Sequence, residues 1–222
     1  MLDAVRRRPE SDAGLDLGCE DAYIGIMGQA GSSLHGTRSL HSADHPEGSR
    51  HVGECCLNDG TRIRFRPIEP TDVSACGGML SLCSPKSLYS RYERTIKATP
   101  QEMAEELCLQ NPDCDLTIVA EIIVNGTSTI VGAAHLLPDQ GHEAAEYAVL
   151  VADPWQGKGL GGAFTSFCLQ VAHAQGIGRV IAEFLPDNMR MIRILEVRDF
   201  NLHRDPQNRV VSGQKVIGDQ RE

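Results

Sequence analysis

The sequence is poor in aromatic residues and in positive charge. Aromatic residues make up 5% of the 222 residues, with a single tryptophan, and 21 Lys and Arg face 30 Asp and Glu. The formal net charge is therefore −9. Scarce aromatic stacking surfaces and a net negative charge disfavour binding to nucleic acid. The same charge disfavours an anionic membrane surface.

Long apolar runs are also absent. No stretch approaches the roughly 20 apolar residues of a membrane span. Arg6, Arg7 and Arg8 near the N-terminus are not followed by the apolar core of a secretory signal. The eight cysteines stand in no regular disulfide framework, so we expect reduced thiols. These absences predict a cytoplasmic protein without membrane contact.

Residues 1–60 differ in composition from the rest of the chain. Glycine, serine and histidine interrupt every apolar stretch, and no helical or strand period persists. Such a segment cannot bury enough apolar surface to offset the entropy of ordering it. We predict a disordered, low-complexity tail over 1–60, a folded domain over 61–217 and a short C-terminal tail over 218–222.

One cluster of possible metal ligands lies in the predicted tail: His41, His45, His51, Cys55 and Cys56. The first two histidines have a helical spacing, and thiolates suit zinc. However, a proline and two glycines within the segment argue against a rigid site, and the pattern matches no known zinc module. A solvated polar tail is the favoured interpretation, zinc binding is the alternative, and we expect no metal.

The regular part of the chain alternates strand and helix patterns. Thr61 to Ile68 alternates polar and apolar residues like a half-buried strand. Helix signals, including the capping box at Thr99, and further strand patterns follow it. The predicted order is a strand (61–68), helices (70–83, 85–92, 100–109), strands (117–124, 129–137, 144–152), a helix (163–175), a strand (179–184), a helix (187–197) and two strands within 199–217. This order predicts an α/β fold, a mixed sheet with helices on both faces.

The segment Gln156-Gly-Lys-Gly-Leu-Gly161 carries the clearest chemical signal. It lies between a predicted strand and a predicted helix. Glycines let the backbone approach a bulky anion, and the helix N-terminus adds positive potential. The segment fits neither a Walker loop nor a good dinucleotide fingerprint. It predicts a pyrophosphate cradle, with an ordinary glycine-rich helix start as the alternative.

Taken together, these segments resemble the GNAT superfamily of N-acetyltransferases. The loop after Val149–Trp155 is similar to the acyl-CoA signature of that family. The segments Ile63–Asp72, Leu82–Tyr92 and Ala145–Val151 resemble one branch, which includes bacterial protein-lysine acetyltransferases that modify acyl-CoA synthetases. The resemblance covers residues 61–217. It implies a mostly antiparallel central sheet that splays between the fourth and fifth predicted strands.

The resemblance also implies a mode of cofactor binding. The cosubstrate is acetyl-CoA, whose pantetheine arm fills the gap between the splayed strands. The backbone of Ala148, Val149, Leu150 and Val151 then pairs with the pantetheine amides. The implied pyrophosphate contacts come from the loop: Gln156, Gly157, Lys158, Gly159, Leu160 and Gly161. Asn188 either contacts the pantetheine or only caps its helix.

Glu146 is the candidate general base. The reacting ammonium must lose a proton before it attacks a thioester, and a carboxylate near the gap can accept that proton. We expect partial burial to raise the pKa of Glu146 toward neutrality. An ordinary exposed strand glutamate is the alternative, and Glu143 is a poorer candidate because it lies in a turn.

Two positions depart from the family pattern. Leu195 stands where many members have a tyrosine that protonates the leaving thiolate, and Asp199 stands where a glycine usually precedes Phe200. The expected activity is acetyl transfer to a primary amine, in the first place a protein lysine. The alternatives are a small-amine acceptor and a CoA-sensing module that binds without transferring.

Overall fold

The fold is built on one eight-stranded sheet. The computed structural model describes residues 53–109, 116–124, 126–139, 141–205 and 209–218. The strands are Gly53–Cys56 (β1), Arg62–Pro67 (β2), Leu116–Val124 (β3), Thr127–Pro138 (β4), Ala145–Val151 (β5), Arg179–Phe184 (β6), Asn201–Asp205 (β7) and Val210–Val216 (β8). Their order in the sheet is β1-β2-β3-β4-β5-β6-β8-β7. Neighbours are antiparallel except β5 and β6, which run parallel.

Helices cover both faces of this sheet. They are Val73–Ser81 (α1), Pro85–Tyr92 (α2), Pro100–Cys108 (α3), Leu160–Ala174 (α4) and Met189–Glu196 (α5). Apolar residues of α1 and α3 form one buried cluster with the sheet, and those of α4 and α5 form another on the opposite face. The predicted mixed α/β architecture is confirmed. Because β1 precedes the first predicted strand, the splayed fourth and fifth strands of the prediction are β5 and β6.

Local sequence signals explain where these elements begin. Ser84 accepts a hydrogen bond from the backbone N–H of Ser87, and Thr99 forms a reciprocal capping box with Glu102. In β2 the alternation buries Ile63 and Phe65. The Phe65 ring lies 5.0 Å and 4.9 Å from the rings of Phe164 and Phe167 on α4, measured between centroids. This aromatic cluster fixes α4 against the sheet.

A partly buried cation, Arg66, joins β2 to the start of α1 and to β3. The two Nη atoms of Arg66 donate to the Asp72 carboxylate at 2.6 and 2.8 Å, and its Nε donates to Glu121 at 2.7 Å. Asp72 is 8% exposed and Glu121 is 6% exposed. The hydrogen bonds, those to Asp72 above all, raise the pKa of Arg66 despite its burial. The network therefore consists of one cation between two desolvated carboxylates.

Both departures from the family pattern have a structural account. Leu195 is fully buried in the core, so this position offers no group to a reaction. Asp199 has a φ of 57°, the left-handed region where glycine is favoured. Its carboxylate lies 3.8 Å from the Nζ of Lys215. An aspartate at this position is therefore strained, and the strain is local to the turn after α5.

The folded domain begins earlier than the predicted boundary between residues 60 and 61. Strand β1 pairs with β2 from Gly53 opposite Phe65 to Cys56 opposite Arg62. Cys55 and Leu57 are buried in the main core. A four-residue strand is too short to show a period, and here cysteine supplies the apolar side chain. The remainder of the predicted tail, residues 1–52, and residues 219–222 lie outside the described residues.

Removing β1 is expected to destabilise the domain. A chain beginning at Thr61 loses the buried Cys55 and Leu57 side chains, the second of which is worth roughly 1.5–3 kcal/mol on its own. We expect its thermal midpoint to fall by about 5 °C or more relative to a chain beginning at Gly53. Circular dichroism melts of the two chains measure the difference. Equal midpoints would show that β1 adds no stability.

Candidate active site

Strands β5 and β6 part within the sheet. Their register contains two pairs, Ala145 with Val180 and Glu146 with Ile181. Beyond Glu146, strand β5 stays paired with β4, from Ala148 opposite His135 to Val151 opposite Gly132. The backbone of β5 on the β6 side is therefore left for another partner, and an extended ligand can pair with it as an added strand.

A cleft of about 520 Å³ opens at this parting, between α2, the end of β5, the glycine loop and α5. Seven residues predicted to bind cofactor line it: Val149, Leu150, Val151, Gln156, Gly157, Gly161 and Asn188. Five predicted site residues are not part of its lining: Glu146, Ala148, Lys158, Gly159 and Leu160. The sequence therefore predicted most of the β5 and loop wall of the cleft.

The glycine loop depends on two left-handed residues. Gly157 has a φ of 77° and Gly159 a φ of 96°, and Gly159 is the N-cap of α4. A Cβ atom added at Gly157 would meet no atom within 4 Å, so this glycine is required by backbone conformation and not by space. Helix α4 then starts at Leu160, which is buried. The glycine loop and helix start that the sequence predicted are thus present, and binding of an anion by them stays a prediction.

Gln156 connects the walls of the cleft. Its Nε2 lies 3.0 Å from each of three acceptors: the backbone oxygen of Val151, Ser87 Oγ and Asp153 Oδ1. Its Oε1 accepts a hydrogen bond from Arg190 on α5. The side chain therefore closes the loop and contacts both α2 and α5. This connecting role was not foreseen from sequence.

Asp153 completes the same network. It accepts a 2.6 Å hydrogen bond from Ser87 Oγ. Burial alone would raise the pKa of Asp153, but hydrogen bonds from Ser87 and Ser84 outweigh it and lower the pKa. A stable carboxylate thus holds α2 to the segment that precedes the loop. Neither Ser87 nor Asp153 was a predicted site residue, and the only signal was their place within segments that resemble the family.

Lys158 points away from the cleft. Its Nζ lies 4.4 Å from the centroid of the Trp155 ring and 3.7 Å from Asp59 in the β1–β2 turn. Its side chain thus joins the loop to the first hairpin, and only its backbone remains available for the predicted phosphate contact. Asn188 has the predicted capping role, and its contact with the pantetheine stays a prediction. It caps α5 by accepting from the N–H of Met191 at 3.1 Å, and it lines the cleft.

Glu146 lies at the closed end of the parted strands. Its neighbours Ala145 and Tyr147 are buried, whereas Glu146 itself is exposed. The partial burial expected for this residue is therefore wrong. The cause is strand alternation, which turns Glu146 to the sheet face that carries α1–α3. The buried cluster on that face does not include Glu146. Burial, and then the charges of Glu183 and Glu146, raise the pKa of nearby Glu93. Three carboxylates thus surround this end.

Within the described residues there is no group of three or more His, Cys, Asp and Glu side chains able to hold a metal ion. His41, His45 and His51 of the predicted cluster lie outside those residues. Cys55 is buried and the adjacent Cys56 is exposed, so the two thiols point to opposite faces of β1. No described helix is long and apolar enough to span a membrane.

The parted strands, the glycine loop and the adjoining helix N-terminus define a class of acyl-CoA-binding transferases. Residues 62–201 match the family model described as an acetyltransferase (GNAT) domain. The chain therefore belongs to the GNAT family and is an acetyl-CoA-dependent acyltransferase. The family resemblance given by the sequence is confirmed at this level.

Solved structures agree with the fold. The GNAT domain of PAT from S. lividans is 23% identical, with a TM-score of 0.65, over 73% of this chain and 95% of that one. A GNAT acetyltransferase from Streptococcus pneumoniae is 21% identical, with a TM-score of 0.54, over 70% and 99%. YncA from Salmonella typhimurium, a putative acetyltransferase with its cofactor acetyl-CoA, is 19% identical, with a TM-score of 0.56, over 72% and 96%.

Proposed function

We propose that this chain acetylates a protein lysine. The observation that carries the proposal is the parting of β5 from β6 directly beside the glycine loop. The acceptor class is supported by the resemblance of Ile63–Asp72, Leu82–Tyr92 and Ala145–Val151 to the protein-lysine branch. It is also supported by the carboxylates Glu93, Glu146 and Glu183, because negative charge attracts a lysine ammonium.

The proposed cosubstrate position follows from the two ends of the cleft. The pyrophosphate lies on the backbone N–H groups of Gly157–Gly161 at the start of α4. The pantetheine amides pair with Ala148–Val151 along the free side of β5. The thioester is then directed to the closed end of the gap, near Ala148 and Glu146. Asn188 borders the pantetheine from α5.

The chemical step then uses few side chains. Glu146 takes a proton from the lysine ammonium, directly or through a water molecule. The neutral nitrogen attacks the thioester carbon, and a backbone N–H of the Ala148–Val151 segment stabilises the oxyanion. The nitrogen releases its second proton to water, the C–S bond breaks, and CoA leaves as a thiolate, whose moderate basicity makes protonation by a side chain unnecessary. Leu195 is accordingly free to pack in the core.

A CoA-release assay tests this function. Purified protein with acetyl-CoA and lysine-containing peptides should release CoA thiol in proportion to peptide acetylation, measured by mass spectrometry. Release with small amines alone would favour the small-amine alternative. Tight CoA binding without any release would favour a sensing module.

Gly157→Glu is expected to abolish acetyl-CoA binding. The new carboxylate would stand in the proposed phosphate site, and the left-handed backbone would be strained. Gly176→Glu is the matched control, because Gly176 also has a positive φ and open space but lies beyond the far end of α4. Calorimetry should show micromolar binding for wild type and for the control. Wild-type affinity in Gly157→Glu would disprove the assigned site.

A further inference from the structure

Arg91 is a partly buried cation in the cleft wall, and the described residues supply no ion-pair or hydrogen-bond partner for it. It lies on α2 and lines the cleft. Among the described residues it makes no hydrogen bond or ion pair that the structure records, only a contact over the Tyr92 ring at 5.0 Å. Arg66 and Arg198, which are also partly buried, each donate at least three hydrogen bonds. Burial lowers the pKa of Arg91, yet a guanidinium stays charged.

The surroundings of Arg91 place it at the acceptor end of the cleft. The charged and titratable groups that act on it are Tyr92 on its own helix and Glu146 and Tyr147 on β5. It also acts on His135 of β4, which is opposite Ala148. Glu146 is in the last recorded pair of β5 with β6, and Tyr147 and Ala148 follow it directly. Val151, next to the loop, is five residues further along β5, or about 17 Å. The groups whose charges act on Arg91 therefore belong to the Glu146 end of β5 and not to the loop end.

Within the part of the chain that the structure describes, no ion pair neutralises this cation. Burial, and then the charge of Arg91, lower the pKa of His135 to about 3, so His135 is neutral and cannot be its counter-ion. The Glu146 carboxylate is beyond ion-pair distance, since no pair within 4.0 Å joins it to Arg91 among the described residues. Arg91 thus lines the cleft with no acceptor recorded for its five N–H donors among the described residues. A planar guanidinium in this state suits a carboxylate, which it binds through two parallel hydrogen bonds.

We infer that Arg91 binds a carboxylate carried by the acceptor close to its reacting amine. This inference rests on the proposed function and narrows the class of acceptor to amines that carry a nearby carboxylate. The carboxylates Glu93, Glu146 and Glu183 would repel a free anion but attract the amine of the same molecule. Recognition therefore requires both charges in one acceptor, with the amine toward Glu146 and the carboxylate toward Arg91. That carboxylate comes from an acidic residue beside a protein lysine or from a free amino acid.

Matched acceptor pairs test the inference on the full-length protein loaded with CoA. One pair is lysine and cadaverine, which differ by the α-carboxylate. The other is a peptide with Glu on both sides of lysine and the same peptide with Gln. We expect the carboxylate member of at least one pair to bind about tenfold more tightly by calorimetry, the value of one charge-assisted hydrogen bond. The pair that shows the preference identifies the source of the carboxylate.

Variants separate this role from a structural one. On the CoA-loaded protein, Arg91→Gln should bind both members of the pair equally, and Arg91→Lys should keep part of the preference. Arg94→Gln removes the same charge from an exposed position just after α2 and should keep all of it. Equal or undetectable binding of both members by wild type would overturn the inference. So would a preference that survives in Arg91→Gln, or an equal loss of turnover with both members.

The proposed function is judged separately by turnover. A binding preference without acetylation of either peptide would refute lysine acetylation and leave the carboxylate site standing. Acetylation of both peptides without a binding preference would support lysine acetylation and overturn the role of Arg91.

Discussion

Glu146→Gln should lower kcat by about 10²-fold or more at neutral pH, within the range of general base catalysis. Its affinity for acetyl-CoA should be unchanged, because Glu146 does not line the cleft. The variant must rely on solvent to deprotonate the amine. CoA-thiol release gives kcat, and calorimetry gives the affinity.

The pH dependence distinguishes a base from a residue that only shapes the surface. Lysine amines have an ordinary pKa near 10.4, so the neutral fraction of the acceptor rises through alkaline pH. Activity of Glu146→Gln should therefore recover in part as pH increases. Glu143→Gln, an exposed glutamate in the preceding turn, is the matched control and should keep the wild-type rate. An unaltered rate at pH 7 in Glu146→Gln would remove this residue from the mechanism.

Arg66→Met should lower the free energy of unfolding by about 3–5 kcal/mol, since it leaves the buried carboxylates of Asp72 and Glu121 without their cation. Denaturant unfolding followed by fluorescence measures the loss. Arg64→Met is the matched control on the same strand. Its partner Glu54 is 3.5 Å away with both side chains partly exposed, so we expect a change of about 1 kcal/mol or less.

A second substitution checks the cause of that loss. Adding Glu121→Gln to Arg66→Met removes one of the two uncompensated charges, so part of the stability should return. Equal losses in Arg66→Met and Arg64→Met would show that burial of the carboxylates is not the source of the effect.

Local sequence signals predicted the fold because most helices and strands begin and end at residues that mark such boundaries. The capping residues Ser84 and Thr99 fixed the starts of α2 and α3, and Arg179–Phe184 was predicted with the bounds that β6 has. Strand β1 was not predicted, because its stability comes from pairing with β2 and from burial of Cys55. Neither cause leaves a period in four residues.

The parts of the site formed by residues close in sequence were predictable, and the contacts between residues far apart in sequence were not. The loop from Gln156 to Gly161 is a contiguous signal, and so is the cap at Asn188. The contacts of Gln156 with Ser87 and Arg190 join residues 69 and 34 positions apart, and no pattern in one sequence reports them. The exposure of Glu146 likewise depends on which face of the sheet each helix covers. Only the assembled fold determines that.

The network around Gln156 has a consequence for folding kinetics. It draws on α2, the β5–α4 loop and α5, so the cleft exists only after three distant segments have docked. A ligand that needs the finished cleft cannot stabilise a transition state in which one of those segments is still undocked. Acetyl-CoA should therefore prolong the lifetime of the native protein by slowing unfolding, and leave the refolding rate nearly unchanged.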